Sequence, residues 1–138
     1  MQKLLIFMTI LTVLSGCCSR NTVTNIQRFG WVIAVKPDKV ERYKELHANA
    51  WPGVQRMITA CNIRNYSIYL RELEPGKWYL FSYLEYTGAN FKADMARMAA
   101  DDETRRWWSE TDPCQQPITL AKPGDKWSDM ELVYRQER

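Results

Sequence analysis

Residues 65–86 read N-Y-S-I-Y-L-R-E-L-E-P-G-K-W-Y-L-F-S-Y-L-E-Y, and this stretch decides the fold. Residues 65–71 alternate in polarity enough to form a strand, and 78–86 are dense in aromatic and apolar side chains. Glu74-Pro75-Gly76-Lys77 between them is a turn, because proline and glycine together favour reversal of the chain. Two strands about such a turn predict a β-hairpin. Gly88-Ala89-Asn90 ends it.

Working outward toward the N-terminus, Val40, Tyr43, His47, Ala50, Val54, Met57 and Cys61 recur at steps of three and four. That is one face of a helix spanning 40–61. Asp38 is placed to cap it, and Trp51-Pro52-Gly53 predicts a kink, since proline lacks the backbone donor. Before it, F-G-W-V-I-A-V (29–35) is a buried strand. Toward the C-terminus, Phe91, Met95, Met98 and Ala99 mark a second amphipathic helix. Asp101-Asp102 precedes a short third helix over 103–108. Residues 111–125 carry Pro113, Pro117, Pro123 and Gly124, so they form a long loop, and such loops are usually functional. M-E-L-V-Y (130–134) alternates and predicts a last strand.

The order β-α-β-β-α-β points to an α+β, ferredoxin-like domain, an antiparallel sheet with helices on one face. Left to water, the other face of these Trp- and Tyr-rich strands would be a large apolar patch. A second copy of the sheet would cover it, so the expected assembly is a homodimer through the sheet face, a dimeric α+β barrel.

Composition excludes several roles. The 138 residues suit one domain, and with 46% apolar and 25% charged residues the chain is globular. Net charge is only +3, and no basic run is interleaved with aromatics, so nucleic acid is not an expected partner. Six Trp, seven Tyr and four Phe are more than a core needs, and an excess often lines a pocket. No C-x-x-C or His/Cys cluster occurs, so no zinc site is expected. Cys61 and Cys114 fit two unpaired thiols, although export would permit a disulfide between them.

Lys3 precedes an apolar run over 4–14, too short to span a membrane comfortably, which ends in Leu14-Ser15-Gly16-Cys17. This resembles the lipobox of bacterial lipoproteins. It divides the chain into a lipoprotein signal peptide (1–16), a polar tether (17–27) and the folded domain (28–138). Cys17 is the expected lipidation site. The protein would then be exported and held at a bacterial cell membrane by its lipid alone.

His47, the single histidine, lies on the apolar stripe one turn after Tyr43. Its ordinary pKa is close to neutrality, which suits a general acid/base facing a small-molecule pocket. Around it the chain resembles the L-rhamnose mutarotase family from about 28 to 134. The likeness rests on Tyr43 four residues before His47, then Trp51-Pro52; on Asn65-Tyr66-Ser67-Ile68-Tyr69; on Trp107-Trp108; and on Thr111-Asp112-Pro113-Cys114-Gln115 leading to Trp127 and Met130-Glu131. Where the family usually has His-Asn-Pro-x-Trp-Pro, this chain has His47-Ala48-Asn49-Ala50-Trp51-Pro52.

The resemblance implies a dimeric α+β barrel and aldose 1-epimerisation of a deoxy sugar such as L-rhamnose, without metal or cofactor. It makes His47 the catalytic residue, a proton donor, and Tyr43, Tyr66, Trp107 and Trp108 the substrate-binding residues. Adjacent helical positions point about 100° apart, so one of the two tryptophans is expected in the pocket and the other in the packing. Glu131 is a weaker candidate for a partner base. Two other classes are compatible with the scaffold: a non-catalytic sugar-binding lipoprotein, and a cofactor-free oxygenase-type barrel.

Overall fold

A computed structural model of the chain describes residues 26–136. Strand β1 (Gln27–Val35) runs antiparallel beside β3 (Lys77–Tyr86), whose other edge pairs with β2 (Ile63–Glu74). Two short pieces, β4 (Gln115–Gln116) and β5 (Ser128–Asp129), pair antiparallel with the remaining edge of β1. The order across the sheet is β2-β3-β1-β4, with β5 also on β1. Four helices accompany it: α1 (Val40–Ala48), α2 (Pro52–Ala60), α3 (Phe91–Ala100) and α4 (Asp102–Thr111). The α+β class and antiparallel sheet expected from the element order are therefore present.

Alternation decides which side chains face the helices. Ile33 and Val35 on β1 and Leu80, Ser82, Leu84 and Tyr86 on β3 are buried, while the residues between them are only half-buried. The register sets Ile33 against Leu80 and Val32 against Phe81. The first set packs under the helices. The second set, with Tyr69, Tyr79 and Tyr83, makes the outer face, where Tyr69 is 66% exposed. The hairpin turn falls at Pro75-Gly76, and Gly76 takes φ +72, a backbone conformation that glycine adopts without strain.

Four sequence expectations need correction. The helix over 40–61 is not one kinked helix but two. Pro52 lacks an amide hydrogen and occupies the first position of α2, which leaves Trp51 extended at φ −68, ψ 133. α1 closes at Ala48, with the Asn49 amide donating back to the Glu45 and Leu46 carbonyls. Asp38 does not cap α1; it lies in a 3-10 turn over Pro37–Lys39, and Lys39 is the residue at the helix start. The helix after Asp101 is longer than expected, because the Asp101 carboxylate accepts from the Thr104 amide and hydroxyl, each at 2.8 Å, and nucleates it. Finally, 130–134 is not a strand. Pairing beyond β5 amounts to the Met130 amide donating to the Gly30 carbonyl at 2.8 Å, and Leu132, Val133 and Tyr134 are exposed. Their alternation has no face of this chain to pack against.

Local polar bonds fix the helices over the sheet. Asp94 on α3 accepts from the Asn62 amide at 2.8 Å and the Tyr86 hydroxyl at 2.7 Å, and these bonds hold its carboxyl below the usual range. Glu103 on α4 accepts from the Gly53 amide at 3.1 Å, clamping the first turn of α2. A side chain at 53 would collide with that carboxylate, so glycine permits the approach. Cys61 and Cys114 are buried free thiols, as the unpaired reading expected. The expected tether overlaps the fold at Gln27, which opens β1. The signal peptide and Cys17 lie outside the described residues.

Candidate active site

The helix-covered face of the sheet does not close tightly on the helices. A cavity of about 920 Å³ lies between them. All five candidate residues of the folded domain border it: His47 and Tyr43 from α1, Tyr66 from β2, and Trp107 and Trp108 from α4.

Tyr43 and His47 are one helical turn apart and therefore share a face. Their rings stack with centroids 4.1 Å apart. Trp107 meets the imidazole edge-on at 5.3 Å, so two aromatic rings fix the histidine in place, and Trp51 in turn packs edge-on against Trp107 at 5.5 Å. Nδ1 of His47 stands 3.0 Å from the Tyr43 carbonyl. A carbonyl can only accept, so Nδ1 carries the hydrogen and Nε2 is the basic nitrogen of the neutral ring. Burial lowers the His47 pKa from its ordinary 6.5, and the bond to Tyr43 opposes that only in part. Near neutral pH the ring is a base rather than an acid.

The tyrosines behave oppositely. Burial drives the Tyr43 phenol upward, the proximity of Tyr66 adds to this, and a hydrogen bond with Gln115 moderates it. Tyr66 keeps 42% of its surface accessible because it stands at an open concavity, yet the surrounding walls strip its hydroxyl of water and raise its pKa to about 12. Both phenols stay protonated and can donate. A neutral imidazole and two protonated phenols on the wall of one cavity provide a base and acids, the groups that proton exchange on a sugar uses.

Trp107 is 6% exposed and belongs to the core, whereas Trp108 is half-buried. Both nevertheless border the cavity, contrary to the expectation of one. Glu131 lies in the exposed tail and does not border the cavity. The carboxylate that does is Asp112, ion-paired with Lys126. Asp112, Gln115, Lys126 and Trp127 all lie between α4 and β5, and the sequence reading named none of them as a site residue. Asp112, Gln115 and Trp127 stood in the family pattern, and Lys126 carried no signal of its own. Among the described residues, no group of three or more His, Cys, Asp or Glu is disposed to hold a metal ion.

A family model described as L-rhamnose mutarotase matches residues 28–136. The chain belongs to the L-rhamnose mutarotase family. It is 33% identical over 88 residues to the L-rhamnose mutarotase of Bacillus subtilis (strain 168), covering 64% of this chain and 79% of that protein. The L-rhamnose mutarotase of Lactiplantibacillus plantarum is 30% identical over 86 residues, covering 62% and 77%. Among solved structures, an L-rhamnose mutarotase from Formosa agariphila superposes with a TM-score of 0.59 at 19% identity, over 80% of this chain and 99% of that one. At that identity the superposition speaks for the shared mutarotase fold. The family's usual first proline after the histidine is replaced here by Asn49, and the helix ends at that point all the same, because Pro52 is enough to stop it.

Proposed function

We propose that this protein is an isomerase, an L-rhamnose mutarotase that interconverts the α and β anomers of L-rhamnose, with His47 as its catalytic residue. Family membership supports the reaction. The observation that carries the residue assignment is a partly buried, base-poised His47 packed between Tyr43 and Trp107 at a cavity wall.

In the opening step, Nε2 of His47 takes the proton of the anomeric hydroxyl while the Tyr66 hydroxyl gives its proton to the ring oxygen. The bond from the anomeric carbon to the ring oxygen breaks, leaving an aldehyde and a free hydroxyl. The aldehyde turns about its carbon–carbon bond. On closure the free hydroxyl adds to the other face and returns its proton to Tyr66, and the imidazolium returns its proton to the carbonyl oxygen. A phenol with a pKa of about 12 can protonate the departing oxygen, since an alkoxide is the stronger base. Tyr43 backs the imidazole. Trp107 and Trp108 offer flat apolar surface to the C–H faces and methyl group of the sugar, where aromatic rings pack well.

The test is saturation transfer between the anomer resonances of L-rhamnose, with L-fucose as a second sugar. Exchange above the buffer rate is the expected result. A pure binder would retain the sugar and leave exchange at background, and that result would overturn the assignment.

We also propose that two copies associate through the outer sheet face, where Val32, Tyr69, Tyr79, Phe81 and Tyr83 present aromatic surface that a partner would cover. The lipobox sequence supports a lipid anchor at Cys17 and residence at the outward side of a bacterial cell membrane. Mass spectrometry of the protein from a membrane fraction should find a lipidated N-terminus at Cys17; an intact Met1 would count against it.

A further inference from the structure

The cavity is larger than a deoxy monosaccharide requires, and the surplus is apolar. Its volume of about 920 Å³ falls at the upper end of the roughly 300–1,000 Å³ range of sites that enclose drug-sized ligands. Two core clusters border it. One holds Tyr43 and Trp107, with Trp127 packed on it; the other holds Ile63, Leu84 and Met98, with Trp31, Phe91 and Met95 packed on it. Ile58 and Trp108 pack on both clusters. On the side of the second cluster the cavity is walled by Trp31, Ile63, Leu84, Phe91, Met95 and Met98, and this part is its apolar arm. Not one of these side chains is charged.

One polar group interrupts this surface. Ser82, in the middle of β3, also borders the cavity, with Trp31 opposite on β1 and Ile68 opposite on β2. It is 2% exposed, and its hydroxyl has no hydrogen-bond partner among the described residues. Buried hydroxyls in folded proteins are nearly always bonded. The hydroxyl can turn between staggered positions about a single side-chain bond, which would carry it toward a bound acceptor.

We propose that the arm is a second subsite for an apolar acyl substituent, so that the preferred substrate is an O-acylated deoxy sugar with a free anomeric hydroxyl. This rests on the mutarotase reading above. The sugar ring occupies the His47 end, the acyl chain fills the arm, and Ser82 donates to the ester carbonyl where sugar gives way to chain. Water in an arm of this composition finds few partners, so an apolar chain displaces it favourably. The ester must sit on a ring hydroxyl other than the anomeric one, because anomer exchange needs that hydroxyl free.

The experiment uses L-rhamnose and its mono-hexanoyl esters at each non-anomeric hydroxyl, with calorimetric binding and anomer exchange both measured on the whole protein. At least one ester should bind about tenfold tighter than L-rhamnose. Ser82→Ala should remove about fivefold of that gain. Met95→Trp, which fills the arm, should abolish the gain, with Met95→Phe as a milder check. L-rhamnose binding and exchange should be unchanged in all three variants. Equal or weaker binding of every ester, or a gain that survives Met95→Trp, overturns the second subsite while L-rhamnose exchange keeps the mutarotase reading. Tighter, Met95-dependent ester binding without any exchange upholds the arm and overturns the mutarotase.

Discussion

The imidazole of His47 lies on the ring of Tyr43, centroids 4.1 Å apart, while its Nδ1 holds the Tyr43 backbone carbonyl at 3.0 Å. The same residue supports the histidine from the ring side and from the main chain. The first contact fixes where the imidazole sits, and the second fixes which nitrogen is free.

The pH dependence follows from that geometry. Burial lowers the His47 pKa below 6.5, and the proposed mechanism uses the neutral ring. The exchange rate, kcat/KM, should rise as pH climbs through this lowered value and level off near neutrality. A rate that instead falls between about pH 5 and 7 would mean the imidazolium is the working form. Folding stability has the matching sign. The unfolded chain takes the proton more readily, so this contribution is present above the ordinary histidine value and is lost as pH falls below it.

Replacing His47 by Ala should cut catalysed exchange by roughly 10²–10⁴-fold, the usual worth of a positioned acid or base. The far-ultraviolet circular dichroism should not change, because the side chain is only partly buried. Exchange at the parent rate in this variant would remove His47 from the mechanism.

Tyr66→Phe and Tyr43→Phe should separate. Without the Tyr66 hydroxyl there is no donor for the ring oxygen, so kcat should drop by roughly 10²-fold with KM little altered. Tyr43→Phe keeps the ring under the imidazole and should cost kcat much less. Equal losses in the two variants would contradict the assignment of the donor to Tyr66.

Phe81 pairs with Val32 and Tyr69 near the middle of the outer sheet face. If two copies meet there, Phe81→Arg buries a charge at the contact and should yield monomers by sedimentation velocity, while the parent sediments as a dimer. A parent protein that is monomeric at tens of micromolar would sink the proposed dimer.

Asp101 caps α4 and thereby holds the helix that carries both tryptophans. Bonds from the Thr104 amide and hydroxyl keep its pKa below the usual carboxylate value. The stability it contributes is therefore present above that usual value and is lost as pH falls toward its lowered pKa. Asp101→Ala should melt several degrees lower, whereas Asp101→Asn, another good capping residue, should melt close to the parent.

The sequence carried the local pairings well and the long-range paths poorly. The hairpin was legible because strand pattern and a Pro-Gly turn agree within one short stretch. The stripe from Val40 to Cys61 survived the break in its helix because α1 and α2 pack against the same sheet face, so the spacing holds across the gap. His47, Tyr43 and Tyr66 were legible through the family pattern. The strand expected over 130–134 failed because alternation says nothing about whether a segment stays on its partner edge, and after the Met130–Gly30 bond the chain leaves the edge of β1. Asp112, Lys126 and Trp127 reach the cavity only through the route of an irregular loop, which no periodicity encodes.

The interruption at Trp51-Pro52 has an electrical side. By ending α1 at Ala48 it leaves His47 in the final turn of a helix, where the aligned peptide dipoles sum to about half a negative charge. In the proposed mechanism an imidazolium appears on this ring only for the lifetime of the open-chain aldehyde. An unbroken helix through residue 60 would have carried that negative pole more than two turns away. The proline thus places a counter-charge beside the ring that the proposed mechanism makes cationic during each turnover.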